Sequence, residues 1–306
     1  MRTLNSVILI LGTIFSSYAL GAPCVNMQLQ TGQTNIDFTS NPQFQGTFTV
    51  KANTNPGGCD FFIVFDYGYS SSYVNRSLKM SGYEWPYQVY KDSAGVNIIK
   101  NVTDASSNSD ILSGTLPDGN NDAQVNVSYW AALNMTNPWL RFGNYTEYIS
   151  AHLYRGTLSN YSFVSSRLIS LNYNAPKRVD VSMVASGGAF VLGDTDEVMN
   201  FGTLSAGATR SASAVMKYNA GYTLYVSSTN GGRLKHQTDA QYIPYTIKFN
   251  NDTVGLTTSP QQLYRVFGVS PASGTSIPIT VTIGNFGNVK AGAYSDQVQL
   301  TIETTE

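Results

Sequence analysis

The sequence predicts an all-β protein of two β-sandwich domains in tandem, the second lacking its final strand. Three observations carry that expectation. Apolar residues recur at every second position in many short runs, and no long stretch shows the period of a helix. A set of landmarks recurs in the same order in both halves. The last alternating run is a near copy of one in mid-chain, but only the mid-chain copy is followed by a further strand.

At the start, Arg2, the apolar run from Val7 to Leu11 and the small residues Ala19-Leu20-Gly21-Ala22 have the layout of a secretory signal peptide, residues 1–21. The run is far shorter than the roughly 20 residues that span a bilayer. Pro23 disfavours cleavage directly before it, which places the cut after Gly21. The remainder, about 285 residues, exceeds the needs of one core and suits two domains of ordinary size. Charged residues make up only 12% and nearly cancel. That argues against nucleic acid or an anionic membrane as partner, since either calls for a basic patch.

Cys24 and Cys59 are the two cysteines. In an oxidising compartment they read as a disulfide closing a loop of about 35 residues, worth roughly 3–4 kcal/mol. A zinc site wants three or four ligands, and only His152 and His236 could be added, so neither a metal nor another cofactor is expected.

The repeat follows. Arg76-Ser77-Leu78-Lys79 and then Pro86-Tyr87 are echoed by Arg233-Leu234-Lys235 and Pro244-Tyr245. Upstream stand the alternating runs Phe61-Phe62-Ile63-Val64-Phe65 and Tyr222-Thr223-Leu224-Tyr225-Val226; downstream stand Gly143-Asn144-Tyr145-Thr146-Glu147 and Gly292-Ala293-Tyr294-Ser295-Asp296. Between the last two landmarks the first copy is about nine residues longer. An insertion within a strand would flip its side chains, so the extra length belongs in loops.

In the second half, strands are predicted at 179–184, 197–201, 211–215, 222–227, 242–250, 276–283 and 297–302. The mid-chain copy of the last strand is followed by Ile169, Leu171 and Tyr173 at period two, which reads as one strand more. Without that strand, the second sandwich is expected to expose a groove edged by Val179, Val181, Val298, Leu300 and Ile302 for another chain to fill. The polar, proline-containing stretch 172–178 serves as linker, dividing the mature chain into domains 22–175 and 176–306.

Taken together, Gly-x-Tyr-Ser/Thr-Asp/Glu before an alternating strand, the Arg-Leu and Pro-Tyr pairs, and Phe201-Gly202-x-Leu204 resemble the spore coat U family, which includes subunits of archaic chaperone–usher pili. Two such domains behind a signal peptide resemble the two-domain tip adhesin of a Csu-type pilus. The resemblance implies Ig-like sandwiches, an N-terminal binding domain, and a C-terminal pilin domain completed by a neighbour's strand. It implies as partners a periplasmic chaperone, an outer-membrane usher, an adjacent pilin and an abiotic or host surface, with export to the pilus tip. The family's pilin domains often carry a disulfide, which this C-terminal half lacks. Cys24 stands two or three residues into the mature chain, so no free extension is expected for donation. The alternative is a coat or stalk subunit without a binding site.

Three stretches of the first domain place apolar or aromatic residues in expected turns: Tyr67, Tyr69 and Tyr73; Val96, Ile98 and Ile99; and Ala132, Leu133, Met135 and Trp139. Exposed apolar loop tips point to surface contact, although any one of these side chains could instead pack inward. Catalysis has little support. No nucleophile elbow, zinc-protease motif or phosphate-cradling loop occurs.

Overall fold

The computed structural model describes residues 24–53, 58–118 and 122–305, so the expected signal peptide lies outside the described residues. In the first domain the strands are β1 (Val25–Thr31), β2 (Asn35–Asp37), β3 (Gln43–Asn53), β4 (Cys59–Phe65), β5 (Ser77–Met80), β6 (Tyr83–Tyr90), β7 (Leu112–Leu116), β8 (Ala123–Leu133), β9 (Gly143–Thr157) and β10 (Asn160–Ala175). The second has β11 (Val179–Ala185), β12 (Thr209–Tyr218), β13 (Tyr222–Ser228), β14 (Arg233–His236), β15 (Tyr242–Phe249), β16 (Asp252–Val254), β17 (Gln261–Val266), β18 (Thr275–Ile283), β19 (Tyr294–Ser295) and β20 (Val298–Thr304). No helix among the described residues is long and apolar enough to cross a membrane.

Each domain is two layers packed over its own core. In the first, β1-β3-β8-β6 form one layer, and β5, β9, β10 and β2, with β4 and β7, form the other. Alternation builds the inner faces: Phe48, Val50 and Ala52 of β3 and Tyr129, Ala131 and Leu133 of β8 point inward and are buried. β4 is apolar on both faces for a different reason. Its outer residues Phe62 and Val64 lie beneath Ile111, Val102 and Ala105 of the segment joining β6 to β7. Full burial of such side chains contributes roughly 1.5–3 kcal/mol each.

The two copies correspond strand by strand. β1-β3-β8-β6-β5-β9 is matched by β11-β12-β18-β15-β14-β19, and β7-β4-β9 by β17-β13-β20. The Pro-Tyr landmark is where a strand changes layer. Pro86 still pairs with Ser77 of β5, whereas Tyr87 pairs with Leu133 of β8. Pro244 likewise pairs with Arg233, and Tyr245 with Ile283. Proline has no N–H for a continuing ladder, so it suits the point where one ladder hands over to another.

Two expectations for the second domain are corrected. Residues 197–201 join no ladder; Met199 and Phe201 rest against the core from an irregular segment. β17, absent from the sequence reading, pairs with β13. The nine extra residues of the first copy fall mainly between β6 and β8, residues 91–122 against 250–274, and not in the connection to β9.

Candidate functional site

The repeated motif has a structural meaning in both domains. Tyr145 donates its hydroxyl to the Arg141 carbonyl at 2.6 Å, and Tyr294 to the Lys290 carbonyl at 2.8 Å, each four residues back. This is the tyrosine corner of Ig-like sandwiches. A Cβ on Gly143, at the start of β9, would collide with Met80 Sδ, and one on Gly292, two residues before β19, with His236 Nε2, so both places suit glycine. The acidic residue ties down the turn after the neighbouring strand. Glu147 accepts the Tyr69 N–H at 3.1 Å and that of Tyr148 at 2.7 Å. Asp296 accepts the Ser228 hydroxyl at 2.6 Å, the Tyr245 hydroxyl at 2.6 Å and the Asn230 N–H at 3.0 Å. Burial raises the Glu147 carboxyl above its usual range, against the lowering effect of those amides.

Beyond the motif the copies diverge. β9 lies between β4 and β10, pairing with both. Its inward residues Ile149, Ala151 and Leu153 are buried, as are Ile169, Leu171 and Tyr173 of β10. β20 pairs with β13 alone among the described residues. Its inward residues Val298, Leu300 and Ile302 are only half-buried, and so are Val179 and Val181 of β11. Among the described residues, no strand of the second domain takes the position that β10 fills in the first.

The first two loop stretches come together. Tyr67 donates its hydroxyl to Asp104 at 2.5 Å, Lys100 Nζ lies 5.3 Å from the Tyr73 ring centre, and Arg76 Nη1 reaches the Ile99 carbonyl at 2.8 Å. Tyr69 and Val96 are 63% and 72% exposed, whereas Tyr67, Tyr73 and Ile98 are half-buried. Ile99 is buried, a correction to the expected loop tip: its N–H pairs with the Val89 carbonyl at 2.9 Å, which carries its side chain into the core.

The third stretch is corrected further. Ala132 and Leu133 belong to β8, and the strand's alternation carries Leu133 into the core. Met135 packs against that core. Trp139 faces the second domain, 6.2 Å from Phe190 between ring centres, beside an open cleft of about 780 Å³. There the buried Asn219 side chain donates to the Leu140 and Pro176 carbonyls at 2.9 and 3.0 Å and accepts the Arg178 N–H at 2.6 Å.

Cys24 and Cys59 form a disulfide, with Cα atoms 6.1 Å apart, joining the start of β1 to the start of β4. Among the described residues no group of three or more His, Cys, Asp or Glu side chains is placed to hold a metal. The sequence reading missed exposed Val74 and Tyr148. Tyr148 was legible as an aromatic residue on the wet face of an alternating strand.

No family model and no curated protein matches the chain, so the resemblance to the spore coat U family stands on its motifs alone. Among solved structures, the chain is similar to the CsuC–CsuE chaperone–tip adhesion subunit pre-assembly complex of archaic chaperone–usher Csu pili of Acinetobacter baumannii. The identity there is 13% and the TM-score 0.41, over 90% of this chain and 100% of that one. It is also similar to the CupB6 tip adhesin of Pseudomonas aeruginosa, at 12% identity and TM-score 0.37, over 92% and 93% of the two chains. A third is CfaE, the adhesive subunit of CFA/I fimbria of enterotoxigenic Escherichia coli, at 12% and 0.32, over 90% and 94%. Identities this low leave every residue's role to be read from this chain itself.

Proposed function

We propose that this protein is the adhesive tip subunit of a chaperone–usher pilus, exported through the periplasm to the cell surface. Its second domain, 176–306, accepts a strand from an adjacent pilin, and before that from a periplasmic chaperone. Its first domain, 22–175, attaches to an abiotic or host surface through exposed side chains such as Tyr69 and Val96. The observation that carries this reading is the contrast between β9, paired on both edges, and β20, paired on one beside a half-exposed apolar row. Backbone pairing along β20 supplies affinity and the row supplies pockets for alternate side chains. Cys24, just before β1, is bonded to Cys59 of β4 and so belongs to its own domain.

The test fuses an alternating apolar pilin donor segment after Glu306 of the full chain through a short Gly/Ser linker, which raises its effective concentration to about the millimolar range. The expected result is a monodisperse monomer with a raised melting temperature, abolished by Asp at the donor's middle inward position. A full chain that is equally monomeric and equally stable without the donor would overturn the strand-acceptor reading.

A further inference from the structure

The first copy uses eleven residues, 66–76, to turn from β4 to β5, where the second uses four, 229–232. The added length holds apolar side chains in water: Tyr69 is 63% and Val74 is 68% exposed. Yet the turn is held tightly. The buried Arg76 guanidinium donates to the Phe65 and Asp66 carbonyls at 3.0 and 2.8 Å and to Gln88 Oε1 at 2.8 Å, and Gln88 Nε2 holds the Tyr73 carbonyl at 2.7 Å. A fixed turn that adds little to the core and presents side chains outward has the build of a preorganised binding element.

Between this turn and the β5–β6 hairpin lies an open cleft of about 490 Å³, within the range of small-ligand sites. We infer that it binds a neutral saccharide, one or two sugar units at the end of a larger glycan. Glu84 accepts the Ser77 hydroxyl on Oε2 at 3.0 Å and lies 3.5 Å from Lys79 Nζ through Oε1, leaving lone pairs for a pair of neighbouring sugar hydroxyls. Lys79 balances that charge, so the pair offers donors and acceptors side by side. Asn75 adds a donor and an acceptor, and Ser70 Oγ, also at the cleft, is buried without a partner. Tyr69 forms the rim, set edge-to-face with Tyr148 at 6.3 Å, and its ring gives the C–H face of a pyranose a platform. A purely aliphatic surface pressed on the cleft would strand these polar groups. A polyhydroxylated ligand pairs them.

This deepens the attachment half of the proposed function and rests on that reading of the first domain. The full chain is probed against a printed panel of glucose-, galactose-, mannose-, N-acetylglucosamine- and sialic acid-terminated glycans, and against bare polystyrene. Binding to at least one neutral terminus is expected, competed by the matching free methyl glycoside. Tyr69→Ala and Glu84→Gln should each weaken it about tenfold or more, with unchanged melting curves. Leu168→Ser, exposed elsewhere on the domain, should leave it unchanged. Polystyrene binding without any neutral glycan overturns the saccharide assignment and leaves attachment standing, whereas binding to neither overturns both. Binding only to sialylated glycans overturns the neutral class. Glycan binding indifferent to Tyr69→Ala and Glu84→Gln overturns the cleft.

Discussion

Leu153 and Ile302 occupy equivalent places in the two copies, opposite Ile63 of β4 and Leu224 of β13 respectively, and truncating each to alanine measures whether the second sandwich is open. Leu153 is wholly buried, with β10 on its far side. Leu153→Ala should therefore cost about 3–4 kcal/mol, the sum of lost transfer energy and a sealed cavity. Ile302 is half-buried, on a strand that pairs with β13 alone among the described residues. Its alanine variant forfeits roughly half the transfer term and leaves no sealed void, for about 1 kcal/mol. Urea denaturation of the full chain, with hydrogen exchange assigning the transitions to β9 and β20, reads both values. With a donor strand tethered in place, the cost of Ile302→Ala should rise to about that of Leu153→Ala. Equal costs in the free chain would refute the reasoning, because they would mean that Ile302 is already sealed from water.

Three further outcomes are expected. Cys24→Ser or Cys59→Ser should lower the stability of the first domain by roughly 3–4 kcal/mol and leave the second unchanged; loss in both domains by calorimetry would contradict separate cores. Burial pushes the Asp110 carboxyl up, but Lys100 and Ser106 overcome it and hold it at about 2. Its folded value lies below the ordinary one, so its contribution is complete above about pH 4 and is lost as the pH falls toward about 2. Asp110→Asn should flatten that acid limb in melts taken across the window, and identical acid limbs would contradict the ion pair's role. Tyr145→Phe and Tyr294→Phe should each cost about 1 kcal/mol, more at the buried Tyr145 than at Tyr294, whose hydrogen bond is exposed; equal and negligible losses would remove the corner's importance.

The order of landmarks and the alternation of β9, β13, β18 and β20 were legible from the chain alone. Each is local or compares one segment with another. The loops were less legible. Leu133 reads as a loop tip because Asn134 and Pro138 follow it, but β8 persists to Leu133 and its register sends that side chain inward. Ile99 reads as exposed beside Gly95, yet pairing with β6 decides otherwise.

What the sequence determined by itself is the β class and the twofold repeat, because a period of two and a repeated motif are properties of neighbouring residues. Only the tertiary structure decided that Trp139 faces the second domain, that Arg76 and Glu147 brace the turn carrying Tyr69, and that this turn and the β5–β6 hairpin enclose a cleft. Those contacts join residues tens of positions apart, and which of them meet depends on strand order and register, which only the packed sheets set.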